Sequence, residues 1–254
     1  MSRRPGPLQS AGGLRRARGL TSPRRVRRAP LVLLGVLLAV AVAGILLAAD
    51  HRDPASLDEV VLAGPRPPGC VNLVVADDFS GSMTSFTQQR TAAEQALVRW
   101  GGQNLRPDDQ LTILAWAGTA ETVLPPTPIG QVSPGGVPAA DLSGLGDGTA
   151  LLPLLNRVMT LPQTGCRIAL MVISDSEISD TPGDPDSVRD GLGAAGVQSV
   201  SLLNPTGDTQ TAQWQSALPF TRVAAVDQSD PEELALALGG EVAAATGQSL
   251  EVHR

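Results

Sequence analysis

The sequence of 254 residues predicts an α/β fold: a Rossmann-like, doubly wound and mostly parallel sheet flanked by helices and preceded by one transmembrane helix. From residue 70 onward, apolar runs of strand length alternate with amphipathic stretches of helix length. Two runs, within 70–78 and 166–175, are apolar almost throughout, which is typical of strands buried on both faces of a sheet. A further uncharged run of 19 residues, 31–49, has the length of a bilayer-spanning helix.

The first half of the domain reads as strand, helix and hairpin. The strand CVNLVVAD precedes a helix over 84–100, whose apolar residues recur at helical spacing. Strands follow at 110–118 and 120–126, and the second is predicted at a sheet edge because prolines end it. The Pro- and Gly-rich stretch 125–148 has room for at most one short helix.

The second half continues the alternation. A helix over 149–159 accommodates Pro153 in its first turn, and the strand CRIALMVISD follows it. The next helix starts at Asp184 and ends in GLGAAG, a string that matches a dinucleotide-binding pattern but closes a helix instead of following a strand. The strands VQSVSLL and FTRVAAV and a helix over 230–246 complete the series.

The N-terminal composition predicts an anchor. Residues 1–30 contain nine arginines and no acid in a polar stretch that is predicted to be disordered. Their charge orients the apolar run 31–49 with the N-terminus in the cytoplasm, so that a linker (50–69) and a domain (70–254) lie outside the cell membrane. The alternative is a cleavable signal peptide. Because signal peptides have shorter leaders and apolar cores of about 7 to 15 residues, an uncleaved anchor is favoured.

Charge and composition exclude several functions for the exported part. It has ten arginines and all 25 acidic residues, a net charge of −15, which argues against a sequence-independent grip on nucleic acid. The whole chain has no lysine, and its two histidines, His51 and His253, lie outside the predicted core. A P-loop, a Ser-His-Asp triad and a His-ligated zinc site therefore have no suitable residues.

Oxygen-bearing side chains collect at predicted strand ends. Asp78, Ser80 and Ser82 follow the first buried strand in the pattern D-x-S-x-S, and Asp175 closes the second. Thr149 lies in a Gly-rich loop immediately before a helix. Taken alone, D-x-S-x-S also describes an Asp and two serines that stabilise a turn and cap a helix.

Considered together, DFSGSM, GDGTALLPLL and LMVISDSE resemble the three loops of the metal-ion-dependent adhesion site in the von Willebrand factor A (VWA) domain family. The resemblance covers about residues 70–246. It implies that Asp78, Ser80, Ser82, Thr149 and Asp175 hold Mg²⁺, or else Mn²⁺ or Ca²⁺, all of which prefer oxygen ligands. It further implies that the ion receives an acidic side chain from a protein partner and that the domain is not an enzyme.

Two departures from the family pattern flank the predicted ligands. The position before the first site Asp is usually apolar but is Asp77 here, which either points to solvent or adds a third carboxylate near the ion. The family's common T-D-G is S-D-S here, with Ser174 and Ser176 around Asp175.

The resemblance also implies a disulfide. Cys70 and Cys166 begin strands that are neighbours in the family's strand order, at a spacing that a disulfide can bridge, and the exported side is oxidising. The alternative is two small buried thiols.

The sequence thus predicts a membrane-tethered, extracytoplasmic VWA domain that binds a protein through a divalent cation, in adhesion or scaffolding. One alternative is the same fold with a structural ion and a partner bound elsewhere. A less favoured alternative is a metal-dependent phosphohydrolase with Asp77 or Asp78 as nucleophile, because it lacks the usual Lys and has Ser80 where a general acid is expected. Since the exported part is acidic, a partner with basic residues around one carboxylate would suit the site.

Overall fold

A computed structural model of the chain describes residues 53–133, 142, 144–205, 211–227 and 230–253. Residues 53–254 form one compact unit. The predicted segments 1–30 and 31–49 lie outside the described residues, as do residues 134–141 and 143 of the Pro-rich stretch. Within the described ranges, no helix is long and apolar enough to cross a membrane.

The centre of the domain is a six-stranded sheet with the order β4-β3-β2-β5-β6-β7. All neighbouring strands run parallel except the β3–β4 pair, which is antiparallel. The bounds are β2 Val71–Asp78, β3 Gln110–Trp116, β4 Ala120–Pro128, β5 Arg167–Ile173, β6 Val197–Asn204 and β7 Arg222–Ala225, while β1 Val60–Ala63 and β8 Ser249–Val252 form a separate ribbon.

Helices cover both faces of this sheet. Helices α1 (Thr87–Asn104) and α5 (Pro231–Thr246) pack on one face, and α2 (Leu151–Met159), α3 (Pro185–Ala194) and α4 (Ala212–Ala217) pack on the other. Alternate residues of β2 and β5 enter the two apolar cores, which explains why both strands are apolar almost throughout. The predicted doubly wound, mostly parallel α/β sheet is therefore confirmed.

Prolines mark β4 as the edge strand, as predicted. It pairs only with β3 among the described strands, and its pairing is irregular near Leu124, next to Pro125. A proline lacks the N–H that a central strand must donate on one side or the other, so such a strand is tolerated at an edge. Helix α4 is an addition to the predicted elements.

The predicted linker 50–69 contains ordered structure. Leu57–Glu59 form a 3₁₀ helix, and β1 pairs antiparallel with β8, which follows nearly 190 residues later in the sequence. Leu57 is fully buried in the core between α1 and α5, and the indole N–H of Trp100 donates to the carbonyl of Val60 at 2.7 Å. The folded body thus begins before Cys70, because these apolar residues complete the core on the α1 and α5 face.

The amino ends of β2 and β5 are joined covalently. The predicted Cys70–Cys166 disulfide is present, and it spans 96 residues of sequence. Beside it, the fully buried carboxylate of Asp109 accepts hydrogen bonds from the Arg66 guanidinium and from the backbone N–H of Val71. The chain that enters the domain is therefore fixed to the sheet by a disulfide and by a buried ion pair.

Replacing both cysteines by serine should lower the free energy of unfolding by about 3–5 kcal/mol, because the disulfide restricts a long loop in the unfolded chain. Urea unfolding of wild-type and Cys70→Ser/Cys166→Ser chains measures this difference, with reduced wild type as the matched control. Equal stabilities of the oxidised wild type and the variant would contradict the expectation.

Candidate metal centre

Four of the five predicted metal ligands, Asp78, Ser80, Ser82 and Asp175, lie at the carboxyl ends of β2 and β5 or in the loops that follow. These strands are parallel neighbours, and Asp77 of β2 is paired in register with Ile173 of β5. The loops that follow them therefore meet at one edge of the sheet, where ligands bind in open α/β folds.

The loop after β2 turns back on itself at once. The backbone N–H of Ser80 donates to Asp78 Oδ1 at 2.8 Å, and the hydroxyls of Ser80 and Ser82 lie 3.2 Å apart. The N–H of Met83 donates to the carbonyl of Ser80 at 3.0 Å, at the start of the 3₁₀ helix Gly81–Phe86. Ser80 is buried and Ser82 is exposed, so this pair of hydroxyls runs from the interior to the surface.

The loop after β5 contacts the same aspartate. Ser174 Oγ donates to Asp78 Oδ2 at 2.7 Å and accepts a hydrogen bond from the backbone N–H of Ser176 at 3.1 Å. Ser176 has a φ of 69°, a left-handed conformation that is uncommon for a residue with a side chain. Asp175 Oδ1 accepts from the N–H of Glu177 at 3.2 Å, which directs this carboxylate along its own loop.

Thr149 lies against the β5 loop. Its carbonyl accepts a hydrogen bond from the N–H of Ser179 at 2.8 Å, and the N–H of Ala150 donates to the carbonyl of Ala117 at 2.7 Å. The residue is 5% exposed. A polar side chain that is buried beside the β5 loop is consistent with a ligand position.

The first turn of α2 is fixed by the same loop. The carboxylate of Asp180 accepts hydrogen bonds from the N–H groups of Leu151 and Leu152 at 2.6 and 2.9 Å. Beneath them, a Cβ at Gly118 would lie only 2.6 Å from the carbonyl oxygen of Asp147, so the turn between β3 and β4 needs glycine at this position. Three loops are thereby held together around Thr149.

The electrostatics of Asp78 favour a cation. Burial raises the pKa of this fully buried carboxyl, and the nearby charge of Asp175 raises it further, although hydrogen bonds from Ser174 and Ser80 act in the opposite direction. Two carboxylates in mutual repulsion gain from a bound cation, which removes the cost of their negative charge.

The donor set suits a hard ion. No group of three or more His, Cys, Asp or Glu side chains in the described part of the chain is arranged to hold a metal. An ion held by the predicted ligands would use the hydroxyls of Ser80, Ser82 and Thr149 with two carboxylates, Asp78 and Asp175. Such a set of oxygens fits Mg²⁺ or a similar hard cation that keeps some of its waters, so the residues present fit the group.

Asp77 points away from these oxygens, to the face of the sheet that α1 covers. Its carboxylate is buried 3.9 Å from the guanidinium of Arg90, beside the carboxyl of Glu94. Arg90 also donates to the carbonyl of Asp78 and stacks on the ring of Phe79, 4.1 Å from the ring centre. Arg90 thus binds three successive residues at the point where β2 passes into the loop.

Arg90 and Glu94 were not predicted as functional residues, although the sequence contains a signal for them. Both lie among the core positions of α1, since Arg90, Ala93, Glu94 and Leu97 follow the i, i+3, i+4, i+7 spacing of a buried stripe. Charged residues in such a stripe require buried partners. Burial raises the pKa of Glu94 well above its usual value, and the neighbouring Asp77 raises it further, so folding favours the neutral form of this carboxyl.

Comparisons with known proteins bear on the fold. No protein-family profile and no curated protein sequence matches the chain. A von Willebrand factor type A structure from Catenulispora acidiphila is 16% identical, with a TM-score of 0.53 over 74% of this chain and 47% of that one. The likeness is one of fold.

Other structures of this fold extend the comparison. The pilus adhesin SpaC from Lactobacillus rhamnosus GG is 10% identical, with a TM-score of 0.51 over 72% of this chain and 31% of that one. Proximal thread matrix protein 1 from the mussel byssus, described with a zinc-occupied MIDAS motif, is 14% identical, with a TM-score of 0.48 over 77% of this chain and 50% of that one. The structural neighbours are VWA-type domains, and this chain spans half or less of the length of the three named above.

Glu94→Gln should change how stability depends on pH. The pKa of Glu94 is raised in the folded chain and is about 4.3 in an unfolded one. At a pH between these two pKa values, Glu94 is protonated in the folded chain and ionised in the unfolded chain. Wild-type stability should therefore fall as pH rises through this window, by up to about 1.4 kcal/mol per pH unit. Gln stays neutral, so the variant should gain stability relative to wild type as pH rises.

Urea unfolding in EDTA from about pH 5 to about pH 8 measures this difference. Glu233→Gln, at an exposed position in the first turn of α5, is the matched control and should follow the wild-type curve. If Glu94→Gln ran parallel to wild type at every pH, Glu94 would not carry the extra proton.

Proposed function

We propose that this chain is a VWA-family protein, anchored in the cell membrane by residues 31–49, whose extracytoplasmic domain binds a protein partner through a divalent cation. The observation that carries the proposal is the contact between the loops after β2 and β5 at Asp78. Ser174 and Ser80 hold its two oxygens, and the adjoining loop with the buried Thr149 is bonded to the β5 loop through Ser179.

The hydroxyls of Ser80, Ser82 and Thr149 would contact the ion, and Asp78 and Asp175 would supply negative charge. Neutral contacts leave the ion electrophilic, so that when bound it offers a position for a carboxylate from the partner. The chain's own residues do the positioning, because Ser174 holds Asp78, and Asp180 holds the first turn of α2 beside Thr149.

The entry of the chain into the domain lies at one edge of the sheet, and the proposed site lies at the other. Arg66 and the disulfide attach this entry to the amino ends of β2 and β5. The proposed metal ligands Asp78 and Asp175 lie at the carboxyl ends of the same strands.

The observed contacts do not favour hydrolysis. A phosphohydrolase would need Asp77 or Asp78 as an accessible nucleophile. The carboxylate of Asp77 is buried beside Arg90 and Glu94, and both oxygens of the fully buried Asp78 accept hydrogen bonds. A protein-binding role does not require the carboxylate of Asp77 or of Asp78 to break these contacts.

Calorimetric titration of Mg²⁺ and Mn²⁺ into the full-length chain in detergent is the first test. One saturable site is expected, and Thr149→Ala should weaken it by at least about tenfold. Ser85→Ala, at an exposed position of the 3₁₀ helix in the loop after β2, is the matched control and should bind as wild type does. Absence of binding, or equal weakening by both variants, would remove the metal mechanism while leaving the fold intact.

Arg90→Lys should weaken Mg²⁺ binding by about tenfold, because Lys keeps the charge opposite Asp77 but loses the planar contacts to the Asp78 carbonyl and the Phe79 ring. Calorimetry of this variant is compared with Arg99→Lys, an exposed arginine farther along the same helix. Unchanged affinity in Arg90→Lys, with a folded thermal transition, would show that Arg90 acts on stability alone.

A further inference from the structure

We infer that the partner presents its carboxylate from within a basic surface, as a single acidic side chain surrounded by Lys and Arg. This inference rests on the proposed function and specifies the partner of the same site. It follows from an uneven distribution of charge that the fold produces.

The loops around the proposed ion are acidic and contain no base. The segments 79–86, 117–119, 144–150 and 174–184 follow the carboxyl ends of β2, β3 and β5 or lead into α2. They include no Lys, Arg or His. Besides Asp175, they carry four acidic residues. Three of these are exposed, Asp147, Glu177 and Asp184, and Asp180 is half-buried.

The arginines of the domain are placed elsewhere. Arg66, Arg106, Arg167 and Arg222 lie just before or at the amino ends of strands, at the opposite edge of the sheet. The exposed Arg99 lies in the last two turns of α1, which lead back to the same edge. Arg90 is buried beneath Phe79, and its charge is opposed by Asp77. Arginines in the interior or at the opposite edge of the sheet cannot offer a cation to a ligand that approaches the proposed ion.

Two arginines on the flanking helices are also engaged. Arg157 of α2 donates to the carbonyl of Ala120, and Arg189 of α3 pairs with Asp186 at 3.0 Å and stacks on Phe220. The stretches 134–141, 143, 206–210 and 228–229 lie outside the described residues, and their sequences contain no basic residue.

A bound divalent ion does not reverse this charge. Its two positive charges match the carboxylates of Asp78 and Asp175, so Asp147, Glu177 and Asp184 remain as uncompensated negative charge on the same side. Their field extends about 8–10 Å at physiological salt, which covers the surroundings of a docked side chain. An acidic patch would be repelled there, whereas a carboxylate among cations can contact the ion and meet the exposed acids at the same time.

The size of the preference follows from exposed ion pairs. Each pair of this kind changes affinity by about 1.5- to 5-fold, so two or three of them separate a basic flank from a neutral one by about tenfold. The difference in affinity between a basic and an acidic flank is larger, because an acidic flank is repelled by the same residues that attract a basic one.

The test is selection of displayed peptides on the full-length chain in detergent with Mg²⁺. One library has a fixed central Asp between randomised flanks, and a matched library has a central Asn. Enrichment of Lys and Arg in the flanks of the Asp library is expected, with loss of binding in EDTA and no enrichment in the Asn library. Flanks that are neutral or acidic, with binding that still requires Asp and Mg²⁺, would overturn this inference and leave the proposed function intact.

If enrichment requires neither Asp nor Mg²⁺, the proposed function fails, and this inference fails with it.

A second experiment locates the preference for basic flanks on the protein. Asp147→Lys/Glu177→Lys should reduce the affinity of the selected basic peptides by about tenfold or more. Glu232→Lys/Glu251→Lys has the same change in net charge but lies outside these loops, and it should have little effect. Equal losses in both double variants would show that only net charge matters and would overturn the inference.

Discussion

The pairing of β2 with β5 is the contact on which the candidate site depends. At the amino ends the two strands are joined by the Cys70–Cys166 disulfide, and at the carboxyl ends Ser174 of the second loop donates to Asp78 of the first. Between these points their parallel ladder is buried on both faces. Strands fixed at both ends cannot slip in register, and the positions of Asp78 and Asp175 follow from that register.

A second constraint lies directly behind the loop. Asp77, Arg90 and Glu94 place three ionisable groups in the core, which is costly unless the charges compensate. The raised pKa of Glu94 reduces the cluster to one carboxylate and one guanidinium, and Arg90 then has capacity left to hold the Asp78 carbonyl. The cluster keeps Asp77 away from the site oxygens, which answers the question that its sequence position raised. The negative charge beside the proposed ion is thereby limited to Asp78 and Asp175.

The parts that the sequence predicted share a physical basis, which is local periodicity. The strands of the main sheet have continuous apolar runs because both of their faces are covered, and α5 begins where Asp230 caps its first turn. The ribbon of β1 and β8 was not predicted because each strand has only four residues, and because the two strands are separated by nearly the whole sequence of the domain. Short strands acquire their structure from partners that no local window contains. The role of Arg90 and Glu94 likewise depends on β2, although their helical spacing already marked them as buried.

The charge distribution is a consequence of topology as much as of composition. In a parallel sheet all strand-to-helix loops gather at one edge, and here the loops beside the proposed ion are rich in Asp, Ser and Gly, because these residues turn the chain and cap α2 and α3. Four arginines lie just before or at the starts of strands, and two of them, Arg66 and Arg106, hold the entering chain at the other edge. The residues that build the loops thus also make their surroundings negative. An ion that is neutralised by its own ligands cannot attract a partner over a distance, so the contact at the ion is short-ranged, and recognition beyond it depends on the charge that the partner carries around its carboxylate.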